Sequence, residues 1–245
     1  MLEGLKAAAT GMTAQQRRMD ALSNDIANVN TTGYKHSRVA FGDLVSSAPG
    51  PGAVDDIQAG AGVAAGSAGR ATGQGVLLTT NQPLDVAVEG DGYLQVSRND
   101  GRVALTRNGS LRVDARGRLT TASGQLLQPP VTLPRGVPAK DLSISPDGTL
   151  VHEGKPIGRM ALVSVASPAK LDDAGDGLYT TNAASGPPRV AGTDTKLVQG
   201  ALESSNVDIA DAMVDLMDAQ RSFQMASQAV RTQDQMLSIA NGLKQ

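Results

Sequence analysis

Apolar positions recur every seven residues at both ends of the chain, and roughly every second residue in its middle. Near the C-terminus Ile209, Leu216, Phe223, Val230 and Leu237 stand seven apart, and Ala212, Ala219, Ala226, Gln233 and Ala240 follow three places behind each. A large residue at one seam position and mostly alanine at the other is the pattern of a helix that packs on a second helix along its length. Asn206 is placed as its N-cap, with Asp208 and Asp211 in the first turn and Lys244 in the last, the signs a helix dipole favours. From Ser205 to Gln245 such a helix is roughly 60 Å long. With a single apolar stripe it does not fold alone.

The other end mirrors this one. Leu5, Met12, Met19 and Ile26 repeat every seven, with Ala8, Gln15, Leu22 and Val29 three behind. The economical expectation is that the two ends pair as a coiled coil, with each other or with neighbouring copies. Two ordinary amphipathic helices on a globular core remain the alternative that periodicity leaves open. Burying four or five large seam residues at about 1.5–3 kcal/mol each gives on the order of 10 kcal/mol, less the cost of ordering the chain. The polar seam residues Gln15 and Gln233 weaken the pairing but set its register. Asn30-Thr31-Thr32-Gly33 ends the first helix, with Gly33 able to turn left-handed.

Between Ser46 and Gly75 the chain is rich in Ala, Gly, Ser and Pro and nearly free of large apolar residues. It reads as a link that cannot bury enough surface to fold by itself. From Val76 short alternating strands begin, punctuated by Asp91-Gly92, Asn99-Asp100-Gly101, the hairpin dipeptide Asn108-Gly109 and Pro146-Asp147-Gly148. Ile157 to Val165 reads as one strand, 166–195 as a long surface loop anchored by Tyr179, and Lys196 to Leu202 as a last strand. The expected fold is α+β: long N- and C-terminal helices paired as a coiled coil, with an inserted antiparallel β domain. Its expected parts are an N-terminal helix in 1–33, an extended Gly/Ala-rich linker in 34–75, the β domain in 76–202 and a C-terminal helix in 203–245.

Composition narrows the function. Only five of 245 residues are aromatic, so the core is aliphatic, and Gly with Pro supplies 28 and 12 residues, the mark of a chain that turns often. A net charge of −2 with mixed signs points to neither nucleic acid nor an anionic membrane. Without cysteine there is no thiol nucleophile, disulfide framework or thiolate metal site. Met1 to Thr10 lacks a basic region followed by an apolar core, and no run of eighteen apolar residues exists, so neither a conventional signal peptide nor a membrane-spanning helix is expected. His36 and His152 lack ligand spacing. The paired acids Asp55-Asp56 and Asp172-Asp173 read as solvated loop charge. Gly60-Ala-Gly62-Val-Ala-Ala-Gly66 has neither the spacing nor the preceding strand of a dinucleotide loop. No cofactor, metal or catalytic centre is expected.

The two ends carry a further signal. Ser23-Asn24-Asp25-Ile26-Ala27-Asn28-Val29-Asn30-Thr31-Thr32-Gly33-Tyr34-Lys35 closely resembles the N-terminal signature of bacterial flagellar basal-body rod and hook proteins. Gly200-Ala201-Leu202-Glu203-Ser204-Ser205-Asn206-Val207-Asp208 looks like that family's lead-in to its C-terminal helix, and Gln220-Arg221-Ser222-Phe223 and Asp234-Gln235-Met236-Leu237 continue the likeness. In the middle, Pro83 to Val96 and Thr106-Arg107-Asn108-Gly109-Ser110 match the family's β domain. Asn24, Ala27, Asn28, Thr31, Gly33, Tyr34, Ser205, Asn206 and Val207 are the motif positions carried over.

The likeness is nearest the distal-rod branch. It implies a structural subunit that polymerises into a hollow helical shaft transmitting torque from motor to hook. The implied partners are further copies of itself, other rod proteins and the hook protein, the flagellar export apparatus and outer ring proteins. The implied location is the extracytoplasmic, periplasmic rod of the basal body, reached without a cleaved signal peptide. The seam residues Leu5, Met12, Met19, Leu22, Ile26, Val29, Ile209, Leu216, Phe223, Val230 and Leu237 are then the expected assembly positions. Two alternatives stay open: a proximal-rod subunit, since those relatives share both ends, and a secreted adhesin or binding module whose β domain is oligomerised by its helices.

Overall fold

The computed structural model describes residues 2–46, 59–98, 100–134 and 136–242. By its internal contacts the chain divides into two compact units, one of Met1–Ala27, Ser37–Ala68 and Asp208–Gln245, the other of Asn28–His36 and Gly69–Val207. The architecture is α+β.

The helical unit holds α1 (Leu2–Ala27) and α2 (Ile209–Gly242), about 39 and 51 Å long at 1.5 Å per residue. They pack on each other in opposite directions: Arg18 on α1 pairs with Asp215 on α2 at 2.7 Å, and Gly4 lies beside Gln233. The N-cap of α2 is Asp208 instead of the expected Asn206. The Asp208 carboxylate accepts the backbone N–H groups of Ala210 and Asp211 at 2.8 and 3.3 Å. Asn206 is drawn away to other partners described below. Lys244 lies outside the described residues.

The same unit holds β1 (Ser37–Ser46) and most of β2 (Ala59–Arg70), paired as a two-stranded sheet. Composition led to a linker at 34–75; the structure places strands on both flanks of 47–58, which lie outside the described residues. The reason is close approach to α1. Arg17 donates to the Ala65 carbonyl, the Val63 N–H donates to the Thr10 hydroxyl at 3.2 Å, and Ala65 is buried. A Cβ on Gly62 (φ +112°) would lie 2.1 Å from the Thr10 hydroxyl oxygen. Small residues here let a strand lie against a helix, a packing that carries no large apolar signature.

The β unit begins with β3 (Leu77–Thr79), β4 (Val86–Glu89), β5 (Tyr93–Ser97), β6 (Val103–Thr106), β7 (Leu111–Val113), β8 (Leu119–Thr121) and β9 (Leu126–Leu127). It continues with β10 (Leu142–Ile144), β11 (Thr149–His152), β12 (Lys155–Arg159), β13 (Leu162–Ser164), β14 (Asp172–Gly175), β15 (Leu178–Thr180), β16 (Arg189–Val190), β17 (Lys196–Gln199) and β18 (Ala201–Glu203). The main sheet runs β14-β15-β6-β5-β9-β8-β7, with β13 joining β5 to β16, and every residue-level pairing described in the unit is antiparallel. Smaller sheets are β10-β11-β12, β17-β4 and β18-β3. The core is aliphatic, centred on Val86, Val88, Leu94, Leu127, Leu150 and Met160.

Four expectations are corrected here. Asn108-Gly109 does not close a hairpin: β6 pairs with β5 and β15, and β7 with β8. The dipeptide instead lets the chain run against β4, where a Cβ on Gly109 would sit 1.6 Å from the Val86 carbonyl oxygen. The strand expected over 157–165 breaks at Met160, whose N–H turns to the Gly148 carbonyl, so β12 and β13 join different sheets. The strand expected over 196–202 breaks at Gly200 (φ +74°). The loop expected over 166–195 contains β14, β15 and β16, because Leu171, Leu178 and Tyr179 are buried in the core.

Candidate functional site

Within the helical unit, α2 turns Ala212 and Ala219 fully inward, and Leu216, Phe223, Ala226, Val230 and Gln233 are half-buried. On α1, Leu5, Ala8, Met12, Gln15, Met19, Leu22 and Ile26 are half-buried. Two expected seam positions behave otherwise. Ile209, in the first turn of α2, is 45% exposed. Val29 lies past the end of α1, in the β unit. The Leu237 side chain lies outside the described residues. A second apolar stripe, not anticipated from the sequence, runs along the outer side of α2: Met213, Val214, Met217, Met225, Met236 and Ile239 are each at least half exposed. Gln15 carries a buried side-chain oxygen without a hydrogen-bond partner among the described residues.

In the β unit the motif residues form a second constellation. Gly33 (φ +70°) sits where a Cβ would meet the Arg107 carbonyl carbon at 2.7 Å, and its N–H donates to the Glu203 carbonyl at 2.8 Å. That approach brings Lys35 onto the Glu203 side chain. Glu203 is fully buried, Lys35 and Arg107 nearly so, and both cations bond the one carboxylate, Arg107 at 3.1 Å. The Glu203 carboxylate also accepts the Gly75 N–H at 2.9 Å. Lys35 donates to the Gly73 carbonyl at 2.7 Å, and Arg107 to the Gly90 carbonyl at 2.8 Å while lying 5.1 Å from the Tyr93 ring centre. Burial lowers the Lys35 pKa, against the opposing pull of Glu203. Burial likewise raises Tyr93.

Beside this cluster the Arg70 guanidinium stacks over Tyr34 and Tyr179 at 5.2 and 5.7 Å, pairs with Asp173 and donates to the Lys35 carbonyl at 2.6 Å. Asn206 bridges the same segments, accepting the His36 N–H at 2.8 Å and donating to the Gly73 carbonyl at 3.0 Å. The Ser205 hydroxyl accepts the Val207 N–H at 3.3 Å, and the Asn28 carbonyl accepts the Thr31 N–H at 3.0 Å. Asn24 and Ala27 lie on the last turns of α1, in the helical unit.

A cleft of about 600 Å³ in the β unit is lined chiefly by apolar residues such as Pro129, Leu162, Val163 and Val190. Its one carboxylate, Asp147, is held below the usual carboxylate range by the Thr149 hydroxyl and N–H, the reverse of the raised pKa a general acid needs. Among the described residues no His, Asp and Glu group has metal-ligand geometry, and no helix is long and apolar enough to cross a membrane.

Residues 5–35 match the family model of flagella basal body rod proteins, 87–152 that of the flagellar hook protein FlgE/F/G D1 domain, and 198–243 that of the flagellar basal body rod FlgEFG protein C-terminal. The flagellar basal-body rod protein FlgG of Caulobacter vibrioides is 35% identical over 263 residues, spanning 99% of this chain and 100% of that protein. The FlgG of Borreliella burgdorferi is 36% identical over 264 residues, covering 100% and 99%, and that of Bacillus subtilis 35% over 264 residues, covering 100% of both. The chain belongs to the flagellar basal-body rod protein family.

The rod family is one of structural, non-enzymatic proteins of the flagellar basal body. In this rod-family chain the three matched stretches converge on one point: each supplies one member of the buried ion cluster, Lys35, Arg107 and Glu203. All three residues lie inside the family-like motifs, and spacing alone gives none of them a role. The available signal was weak: Lys35 follows Gly33-Tyr34 and Arg107 precedes Asn108-Gly109, but Glu203 stands between Leu202 and Ser204 with nothing to mark it. The partners are 168 and 96 positions apart, beyond the reach of any local pattern.

Proposed function

We propose that this chain is a subunit of the distal flagellar rod that polymerises, through its terminal helices, into a hollow helical shaft carrying torque from motor to hook. The observation that carries this reading is α2. Its inner seam follows a seven-residue period and is only half-buried by α1, and its outer side leaves a second stripe of Met, Val and Ile uncovered. A helix with two apolar sides finds full burial only among several neighbours, and contacts of that heterologous kind propagate without closing. The helices act as a coiled-coil core and residues 76–202 as a separate β domain. Leu5, Met12, Met19, Leu22, Ile26, Leu216, Phe223 and Val230 are the packing positions. Its partners are further copies, the neighbouring rod and hook proteins, ring proteins around the shaft, and the flagellar export apparatus that delivers it to the extracytoplasmic rod.

The deciding experiment replaces Phe223 by Asp in cells. The expected result is no rod and no swimming, with the tyrosine near-ultraviolet signature of the β unit retained in the purified chain. Swimming cells with normal basal bodies would refute the seam. A proximal-rod role is the second reading, favoured by matches to models shared across FlgE, FlgF and FlgG. Basal bodies from cells lacking the chain separate the two, ending before the distal segment in the first case and at the motor in the second. A stable small oligomer in sedimentation would favour the adhesin class over both.

A further inference from the structure

The covalent chain passes between the two units four times, at 27/28, 36/37, 68/69 and 207/208. On the β-unit side of these points lie three short segments, 28–36, 69–76 and 203–207, and all three are bonded to one another. Segment 28–36 meets 203–207 through Gly33 N–H to the Glu203 carbonyl at 2.8 Å, Asn206 N–H to the Tyr34 carbonyl at 3.3 Å, and His36 N–H to the Asn206 side chain at 2.8 Å. The Lys35–Glu203 ion pair joins them as well. Segment 69–76 ties to 28–36 through Arg70 and the Ala71 N–H, and to 203–207 through Gly75 and the Val76 carbonyl, which accepts the Ser204 N–H at 2.8 Å.

We propose that this bundle, with the Lys35–Glu203–Arg107 cluster at its centre, is a mechanical clamp: it carries tension between the two chain ends directly, so that the β strands enclosed by residues 77–202 are bypassed. Geometry and chemistry both support this. The backbone groups of the first segment advance from 33 against 203 to 34 and 36 against 206, so the segments run in the same sense, with the long Lys35 side chain reaching back to Glu203. A pull on residue 28 and on residue 207 therefore shears all the contacts together. The ion pairs at the centre are sealed from water, where such bonds are strongest and where loss of one partner is most costly. The next pair in line is weaker by geometry. Strand β3 lies antiparallel to β18 with Leu77 opposite Glu203, and the same pull unzips that pair from its end, one bond at a time.

The clamp's use in a rotating shaft rests on the rod reading; its existence does not, and single molecules test it alone. The full-length chain is pulled by its two termini. After the helices unravel, one event is expected to release residues 37–202, about 550 Å at roughly 3.4 Å per residue. Lys35→Met leaves Arg107 and Glu203 as a neutral pair and is expected to lower the force of that event by about a third or more. Leu150→Ala, a change in the β core far along the chain at a fully buried site, is expected to leave that force unchanged. If Glu203→Gln also folds, its force falls below that of Lys35→Met. A force unaffected by Lys35→Met, or lowered equally by Leu150→Ala, overturns the clamp, as does release of 37–202 in several steps of which the clamp is not the strongest. Rod assembly is read separately in swimming cells, so either conclusion can fail without the other.

Discussion

Replacing Glu203 by Gln tests the energetic centre of the β unit. The change keeps the shape and the capacity to accept hydrogen bonds, and removes one charge. Glu203 is fully buried and is bonded by two nearly buried cations, so Gln leaves Lys35 and Arg107 as uncompensated positive charges. Breaking a buried ion pair in this way costs about 3–5 kcal/mol. With a urea m-value of about 2 kcal/mol per molar, the unfolding midpoint should fall by about 2 M. The assay is specific to the unit, because the chain has no tryptophan and its three tyrosines, Tyr34, Tyr93 and Tyr179, all lie there. Tyrosine emission followed through a urea titration therefore reports that unit. Lys35→Met supplies the internal control, since it removes the surplus cation and leaves one neutral pair; its midpoint should fall by less than half as much. A Glu203→Gln midpoint within 0.5 M of the parent (about 1 kcal/mol at that slope), or a larger loss for Lys35→Met than for Glu203→Gln, would refute the charge argument.

Other consequences follow from the same geometry. Asp208→Ala removes the acceptor for two N–H groups at the start of α2 and should cost about 1 kcal/mol of helix stability, read by far-ultraviolet circular dichroism during thermal unfolding. Gly62→Ala places a methyl against Thr10 in a left-handed backbone conformation and should destabilise the helical unit by about 1–3 kcal/mol; an unchanged dichroism melt would contradict the close strand–helix packing. Burial raises the Tyr179 phenol to about 12 from an ordinary 10, so its contribution is complete below pH 10 and is lost as pH rises from 10 to 12. At ~1.4 kcal/mol per pH unit that loss approaches about 3 kcal/mol. Tyr179→Phe should flatten the stability profile over that window, with a smaller slope left by Tyr93, and an identical slope in both proteins would count against it.

Much of the architecture was legible because periodicity reports locally which side of an element is buried. Repeats of seven marked out the two segments that form α1 and α2, where the repeating positions from Leu5 to Ile26 and from Ala212 to Gln233 are buried or half-buried, and alternation with turn dipeptides located most strands of the β unit. Pattern failed where burial is decided by a distant partner. The Gly/Ala stretch of β2 resembles a linker because alanine and glycine give no amphipathic signature; pairing with β1 and the approach of Thr10 and Arg17 on α1 make it a packed strand. Asn108-Gly109 has the chemistry of a hairpin, yet the strands on either side of it pair elsewhere. Asn206 has the chemistry of a cap, yet two other segments claim the two ends of its amide, the His36 N–H and the Gly73 carbonyl.

The amino-acid order by itself determined the long terminal helices, the short-strand middle and the lack of any thiol, because each is written in spacing or composition over a few turns of chain. Tertiary structure alone decided that Lys35, Arg107 and Glu203 become one buried ion cluster. In the sequence they are three ordinary surface-type charges, and only the folding of remote segments onto one another removes the water that would otherwise keep them apart.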